Sequence, residues 1–258
     1  MEPEQRVVLI AAHPDDEVIG AGIWLSRFPS QAITIIHITD GSPRDLSDAR
    51  NAGFRTREEY ARARRRELEA AVSLIGIRPS QCLELGFVDQ EARYHLTEIC
   101  QALENLIPRL RPSLLLTHPY EGGHPDHDSA AFAVQQTLLQ ASHIRELRRL
   151  EFASYHGRSG ALETGTFLPG WGEPGKTMVL CPEEQSLKRA MLECFRSQQA
   201  FLQLFPTDRE IFRPAPVYDF TQAPHSGPLF YEQQGWARGD EWRALASRVA
   251  LQNETHHT

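Results

Sequence analysis

The chain has 258 residues, 41% of them hydrophobic, enough for one large core, and a formal net charge of −7. No Lys/Arg stripe with interleaved aromatics appears, which excludes nucleic acid as the expected partner. No apolar run approaches the ~20 residues of a membrane span and no leader is visible, so a soluble, cytoplasmic protein is expected.

In chain order, Arg6 to Ala12 predicts a first strand and Glu17 to Ser26 a helix. Ala32 to Thr39 is β-branched and predicts strand two, followed by a polar loop from Asp40 to Gly53. Thr56 and Glu59 have capping-box spacing and open a helix to about Ile75, stopped by Gly76. Within it, four arginines between Arg62 and Arg66 are flanked by glutamates and predict a solvated face. Gln81 to Leu85 predicts strand three. Thr97 opens a helix to Leu110, with Pro108 inside it, and Ser113 to Thr117 is strand four. Asp126 to Ser142 is the next helix and Leu150 to Ser154 strand five. This rhythm predicts an α/β fold, a Rossmann-like, mostly parallel sheet flanked by helices.

Composition changes after Tyr155. Residues 156–176 are rich in Gly, Pro and Thr and predict a long loop or small lobe. Thr177 to Cys181 reads as a strand, Pro182 to Leu204 as a helix, 205–239 as short irregular elements, and Asp240 to Leu251 as a last helix. One domain is expected over 1–258, with a core at about 6–155 and an irregular C-terminal lobe at about 156–258. Residues 156–176 and 205–239 are open to use as a lid or as a contact in a homo-oligomer. The four cysteines form no CxxC pair and are expected as buried free thiols.

Chemistry gathers past the strand ends, where an open parallel sheet binds ligands. His13-Pro14-Asp15-Asp16-Glu17 follows strand one, and His124-Pro125-Asp126-His127 follows strand four. An acidic residue after a strand is often only a helix cap, and a lone histidine is more often packing. Two such clusters at matching strand ends point instead to a metal site. His13 and Asp16 are three apart and can meet one ion at a turn into a helix. His127 is the natural third ligand. Adjacent Asp15 and Asp16 point different ways, so one can bind while the other faces substrate as a base. Two histidines and one carboxylate leave an open position, as in catalytic zinc, and the same set also suits iron(II). Asp40 either builds a turn with Gly41 or serves the site, and Asp89 is similar. His118 and Tyr120 are loop residues open to lining a pocket, with packing the default, and His37 and His143 read as structural or exposed. His256 and His257, in a polar tail, receive no ligand role.

AHPDDE at 12–17 and HPDH at 124–127 resemble the two signatures of the PIG-L/LmbE family of zinc-dependent N-deacetylases, a similarity that runs over about residues 6–200. The resemblance implies hydrolysis of an N-acetyl group, typically on a conjugate of N-acetylglucosamine. It assigns zinc ligation to His13, Asp16 and His127 and the general base to Asp15. It makes His124 the group that steadies the oxyanion or protonates the leaving amine. Asp89 becomes a partner that keeps His124 charged, with Asp126 as the other candidate. Members of the family often have a tyrosine close before the second motif that helps hold the oxyanion. Here Gly122 and Gly123 stand there, and Tyr120 lies four residues before His124. A small-molecule amino-sugar substrate is expected. The alternatives are an amidase for a larger acyl group and a non-catalytic sugar- or nucleotide-binding protein. No GxGxxG follows strand one to support a dinucleotide binder.

Overall fold

β1 (Val7–Ala11) is buried on both faces, as a central parallel strand requires. In the computed structural model, which describes residues 5–140, 147–158 and 160–255, it pairs in parallel with β2 (Ile33–Pro43) and β4 (Leu114–Thr117). Beyond β2 lies β3 (Cys82–Asp89), and beyond β4 lies β5 (Arg148–Phe152), both parallel. β8 (Lys176–Val179) and β9 (Arg209–Pro214) then extend the sheet antiparallel, in the order β3-β2-β1-β4-β5-β9-β8 among the described residues. β6 (Tyr155–His156) and β7 (Glu163–Thr164) form a small separate pair within the lobe segment. The mostly parallel, helix-flanked sheet is as expected from the sequence.

Helices cover both faces. α1 (Asp16–Ser26), α3 (Arg57–Ser73) and α6 (Pro182–Glu193) pack on the face of Val7 and Leu9. α4 (Leu96–Leu110), α5 (Pro125–Gln140) and α9 (Gly239–Thr255) pack on the face of Val8 and Ile10. The Thr56/Glu59 capping box forms as predicted. α1 approaches the sheet closely because residue 20 is glycine: a Cβ there would fall 2.0 Å from the Phe152 ring. Its backbone is also tied to the later half of the chain. Buried Lys188 donates to the Ile19 carbonyl and to Glu210, each at 2.9 Å, and Glu210 accepts the N–H groups of Ile23 and Trp24. A buried ion pair satisfied this fully holds the helix that carries Asp16 in one position.

Several boundaries differ from expectation. The polar loop after strand two contains a short helix, α2 (Ser47–Asn51), and β2 itself runs on to Pro43. Thr97 caps nothing, because a 3₁₀ turn over Ala92–His95 leads directly into α4. The long late helix is interrupted: Ser197 gives its N–H and its hydroxyl to Glu67 at 3.0 and 2.6 Å, which turns the chain before α7 (Gln199–Leu202). α8 (Phe230–Gln233) precedes α9. The four cysteines are free, but Cys181 is exposed and Cys194 half-buried, against the expectation of burial. No helix among the described residues is long and apolar enough to cross a membrane. The expectations for the end of the helix at Ser142 and for His143, His256 and His257 lie outside the described residues.

Candidate functional site

β1 and β4 are neighbours whose onward connections run to opposite edges of the sheet, so the loops after them open a crevice at the switch point. One loop carries His13 to Asp16 and the other His118 to His127. Asp16 begins α1, where the helix N-terminus favours a carboxylate. One of its oxygens, Oδ2, accepts the His13 N–H at 2.8 Å and lies 3.4 Å from His13 Nδ1. The other, Oδ1, lies 3.2 Å from His127 Nε2. Two donors on one tetrahedral ion stand roughly 3.3 Å apart, given metal–donor bonds of about 2.0–2.1 Å. His127 Nε2 is buried and has no hydrogen-bond partner, a cost a metal would remove. His13, Asp16 and His127 therefore fit a divalent cation on spacing, donor type and an otherwise orphaned nitrogen.

The other side of His13 is held by carboxylates. Its Nε2 lies 3.1 Å from Asp89 Oδ1 and 3.2 Å from Asp126 Oδ2, and Asp126 is anchored by the N–H groups of Gln90 and Ala92. A proton on Nε2 would fix the ring and leave Nδ1 for a metal, the usual support for a ligating histidine. Burial lowers the His13 pKa, but Asp89, Asp126 and Asp16 more than reverse this and hold it well above the usual value. His124 differs. Asp89 stands 3.7 Å from its Nε2, while its Nδ1 accepts the Asp126 N–H at 3.2 Å. Burial and the neighbouring His13 push its pKa well down. Asp89 and Asp126, expected as partners of His124, both lie nearer to His13.

Asp15 has φ 139°, a conformation disfavoured for any side chain-bearing residue, and costs of this kind persist only where the surroundings over-determine them. Three groups do so here. Arg64 donates to Asp15 Oδ2 at 2.8 Å and to the carbonyls of Pro14 and Gly41, each at 2.7 Å. Glu17, itself 2.8 Å from buried His37, accepts the Asp15 N–H at 3.3 Å. The first turn of α1 takes the Asp15 carbonyl. Burial raises the Asp15 carboxyl, with Arg64 pulling it down and Asp16 pushing it up. Arg64 thus corrects the reading of Arg62 to Arg66 as a wholly solvated face. His37 is a buried partner of Glu17.

His118, for which packing is the default reading and pocket lining the alternative, adjoins the site. Its Nε2 accepts the Ala12 N–H at 3.1 Å and lies 3.2 Å from Asp16, and its ring stacks on His127 at 3.9 Å. Burial and His127 lower it to about 3, so it is neutral. Two weaker candidates stand apart. Tyr120 points into the second core, stacked on Trp242 with its hydroxyl donated to the Gln222 carbonyl at 2.9 Å, so it does not reach the cleft. Asp40 pairs with Arg57 and accepts the Ser42 N–H, which makes it a turn-builder.

The cluster floors a cleft of about 520 Å³, within the range of small-molecule sites. Asn51, Tyr60, Tyr155, Gln198, Phe201 and Trp236 form its walls. Trp236 lies 4.9 Å from the His124 ring, and Tyr155 meets His127 edge-on at 5.0 Å. Burial and the fields of Asp16 and Asp89 hold the Tyr155 phenol well above its usual pKa.

Residues 8–138 match the family of the GlcNAc-PI de-N-acetylase, PIG-L. The chain belongs to this family. Among PIG-L relatives it is 29% identical to the probable N-acetyl-alpha-D-glucosaminyl L-malate deacetylase 2 of Bacillus cereus, over 52% of this chain and 61% of that one. It is 31% identical to the diacetylchitobiose deacetylase of Thermococcus kodakarensis, over 50% and 47%. The chain thus spans about half the length of the curated relatives it matches. The fold is similar to the zinc-inhibited form of teicoplanin deacetylase Orf2, with TM-score 0.65, 16% identity, and coverage of 83% of this chain and 100% of that one. The PIG-L match ends within α5. Tyr155, Gln198, Phe201 and Trp236 lie beyond it.

Proposed function

We propose that this protein is a zinc-dependent N-deacetylase acting on an N-acetylglucosamine-type amino sugar joined to a second moiety. The observation that carries the reading is the buried His13/Asp16/His127 group, with its unpartnered nitrogen, at the floor of an open cleft. These three residues would hold the ion. When bound, such an ion supplies Lewis acidity, acidifying water and polarising an acyl carbonyl.

The remaining roles belong to the chain. Asp15 faces the cleft with one oxygen fixed by Arg64. That leaves the other to take a proton from the attacking water. His124, beside His13 at 4.4 Å and under Trp236, is placed to meet the departing nitrogen. Asp89 and Asp126 orient His13, and His118 braces Asp16 and His127. The polar and aromatic walls suit a sugar, which offers hydroxyls to Asn51 and Gln198 and an apolar face to Trp236.

The test is acetate release from N-acetylglucosamine conjugates by metal-analysed protein. Acetate formed in step with bound zinc supports the reading. No acetate from any conjugate, with release of a longer acyl group instead, would replace it by the amidase alternative.

A further inference from the structure

Among the described residues, three that are not glycine have a positive φ: Asp15 at 139°, Arg111 at 49° and Gln90 at 69°. Such a conformation is costly for a residue with a Cβ, and it gathers at functional sites where the surroundings fix it. Two of the three are accounted for. Asp15 is the proposed base. Arg111 ends α4 as a left-handed cap, with its N–H on the Ile107 carbonyl at 3.0 Å. Gln90 follows β3 directly and ends no helix, and glycine would adopt its conformation without the steric penalty.

The backbone of Gln90 is held from both sides. Its N–H donates to Asp126 Oδ2 at 2.6 Å, and its carbonyl accepts from the Arg93 guanidinium. Asp126 is fully buried and takes the Ala92 N–H on its other oxygen at 3.2 Å, while Oδ2 also lies 3.2 Å from His13 Nε2. The strained turn is thus set in register with a proposed metal ligand. Both bonds belong to the main chain, so a glycine could make them equally well. They account for the backbone and leave the side chain. That side chain is half-buried and lines the cleft, a wall it shares with His124 and Trp236. A carboxamide offers donors and an acceptor without charge, which matches a sugar hydroxyl.

We propose that Gln90 is a substrate-binding residue, a role that rests on the function proposed above: its carboxamide hydrogen-bonds a ring hydroxyl of the amino sugar and sets the ring over the His/Asp cluster. The left-handed turn is kept with a glutamine because that position carries the amide to the cleft. Asp126 then has two tasks. It orients His13, and it seats the turn that grips the sugar, so the sugar is placed against the metal ligands by one buried carboxylate. A neutral hydrogen bond of this kind adds to binding and leaves the chemical step alone.

The experiment is Gln90→Gly, which relieves the strain, keeps both backbone bonds and removes the amide, measured as the zinc-loaded full chain. Zinc content should match wild type, and the thermal midpoint should hold or rise. With an N-acetylglucosamine conjugate, KM should rise about 2–10-fold and kcat stay near wild type. The deacetylated conjugate, which keeps the ring hydroxyls, should bind more weakly by the same factor in calorimetry. Gln90→Met, of similar length without the amide, should show the same loss. Conjugates lacking the 3-, 4- or 6-hydroxyl identify the contact: for one of them Gln90→Gly should cause no further loss. Wild-type KM and product affinity in Gln90→Gly would overturn the role, as would a loss shared equally by all three deoxy conjugates. A lower thermal midpoint would overturn the account of the strained turn. Absence of acetate release by the wild-type protein would overturn the deacetylase reading, while the calorimetric comparison would still test Gln90 as a sugar contact.

Discussion

The two halves of the cleft are built differently. The floor, from the loops after β1 and β4, is a set of buried polar groups with several partners each: His13 alone faces Asp16, Asp89 and Asp126. The far walls, from Tyr155 onward, mix polar side chains with the rings of Tyr155, Phe201 and Trp236, and those rings touch other aromatics more than they touch the floor. The stretch that matches the family holds the proposed ligands and base. The stretch beyond it decides what shape reaches them. Changes in the floor should therefore abolish chemistry, whereas changes at Gln198, Phe201 or Trp236 should alter which substrate is used.

The largest effect tests the floor. His127→Ala removes a ligand, so bound metal and turnover should both be lost from metal-analysed protein. Full metal occupancy in that variant would refute the ligand set. Next is Asp15→Asn, which should keep its metal and lose about 10²–10⁴ in kcat, the usual contribution of a positioned base. If Asp15→Asn instead bound no metal, the two aspartates would have to exchange roles.

Arg64 separates the halves more finely, because it acts from a helix face that reads as solvated. The signal at Arg62 to Arg66 was charge density, and charge density normally means solvent. What inverts it at one of four positions is tertiary: Arg64 lies where α3 crosses the β1 loop, and no local pattern marks that crossing. Arg64→Leu should leave the metal in place and cost about 10² in kcat, since Asp15 loses the clamp that holds its strained backbone. Breaking a buried pair should also lower stability by about 3–5 kcal/mol in urea titration. An Arg64→Leu enzyme with wild-type kcat would show that Glu17 and the turn of α1 suffice.

The metal-free protein gives a pH test of the same floor. Carboxylates hold His13 protonated well above its ordinary pKa, and a ligand must shed its proton to bind metal. Below the raised pKa, zinc affinity should therefore rise about tenfold for each unit of increasing pH, with about one proton released, and level off above it. Calorimetry in buffers of different ionisation enthalpy measures this directly. In Asp89→Asn the plateau should begin at lower pH. An unchanged profile would mean that Asp89 does not hold that proton.

Legibility follows the same division. Buried parallel strands announce themselves as apolar runs, and a metal site needs particular residue types at particular strand ends, so β1, β4, His13, Asp16 and His127 were visible in the sequence. Tyr120 misled because nearness in sequence to His124 says nothing of direction: β4 runs into a loop that turns its ring toward Trp242. His118 follows the same strand, but one histidine carries no spacing, so packing stays its default reading. Tyr155, Phe201 and Trp236 reach the cleft from three separate segments, and residues joined only by packing leave no period to read.

The smallest effect tests the walls. Trp236 is half-buried, with ring centroids 4.9 Å from His124 and 5.9 Å from Phe230, and it also lines the cleft. An aromatic contact of this kind is worth about 0.5–1.5 kcal/mol beyond burial, which corresponds to roughly a two- to tenfold change in affinity. If Trp236 receives the apolar face of the sugar, Trp236→Ala should raise KM by that factor and leave kcat and zinc content near wild type. Trp236→Phe should recover most of the loss, because stacking needs a ring and not the indole nitrogen. The same ring also lies against His124, and the two parameters distinguish these uses. A fall in kcat with KM unchanged would mean that Trp236 fixes His124 for the departing nitrogen and that the sugar is held elsewhere. In that case the division between a chemical floor and a selective wall would fail at this residue, since a wall residue would be governing the reaction.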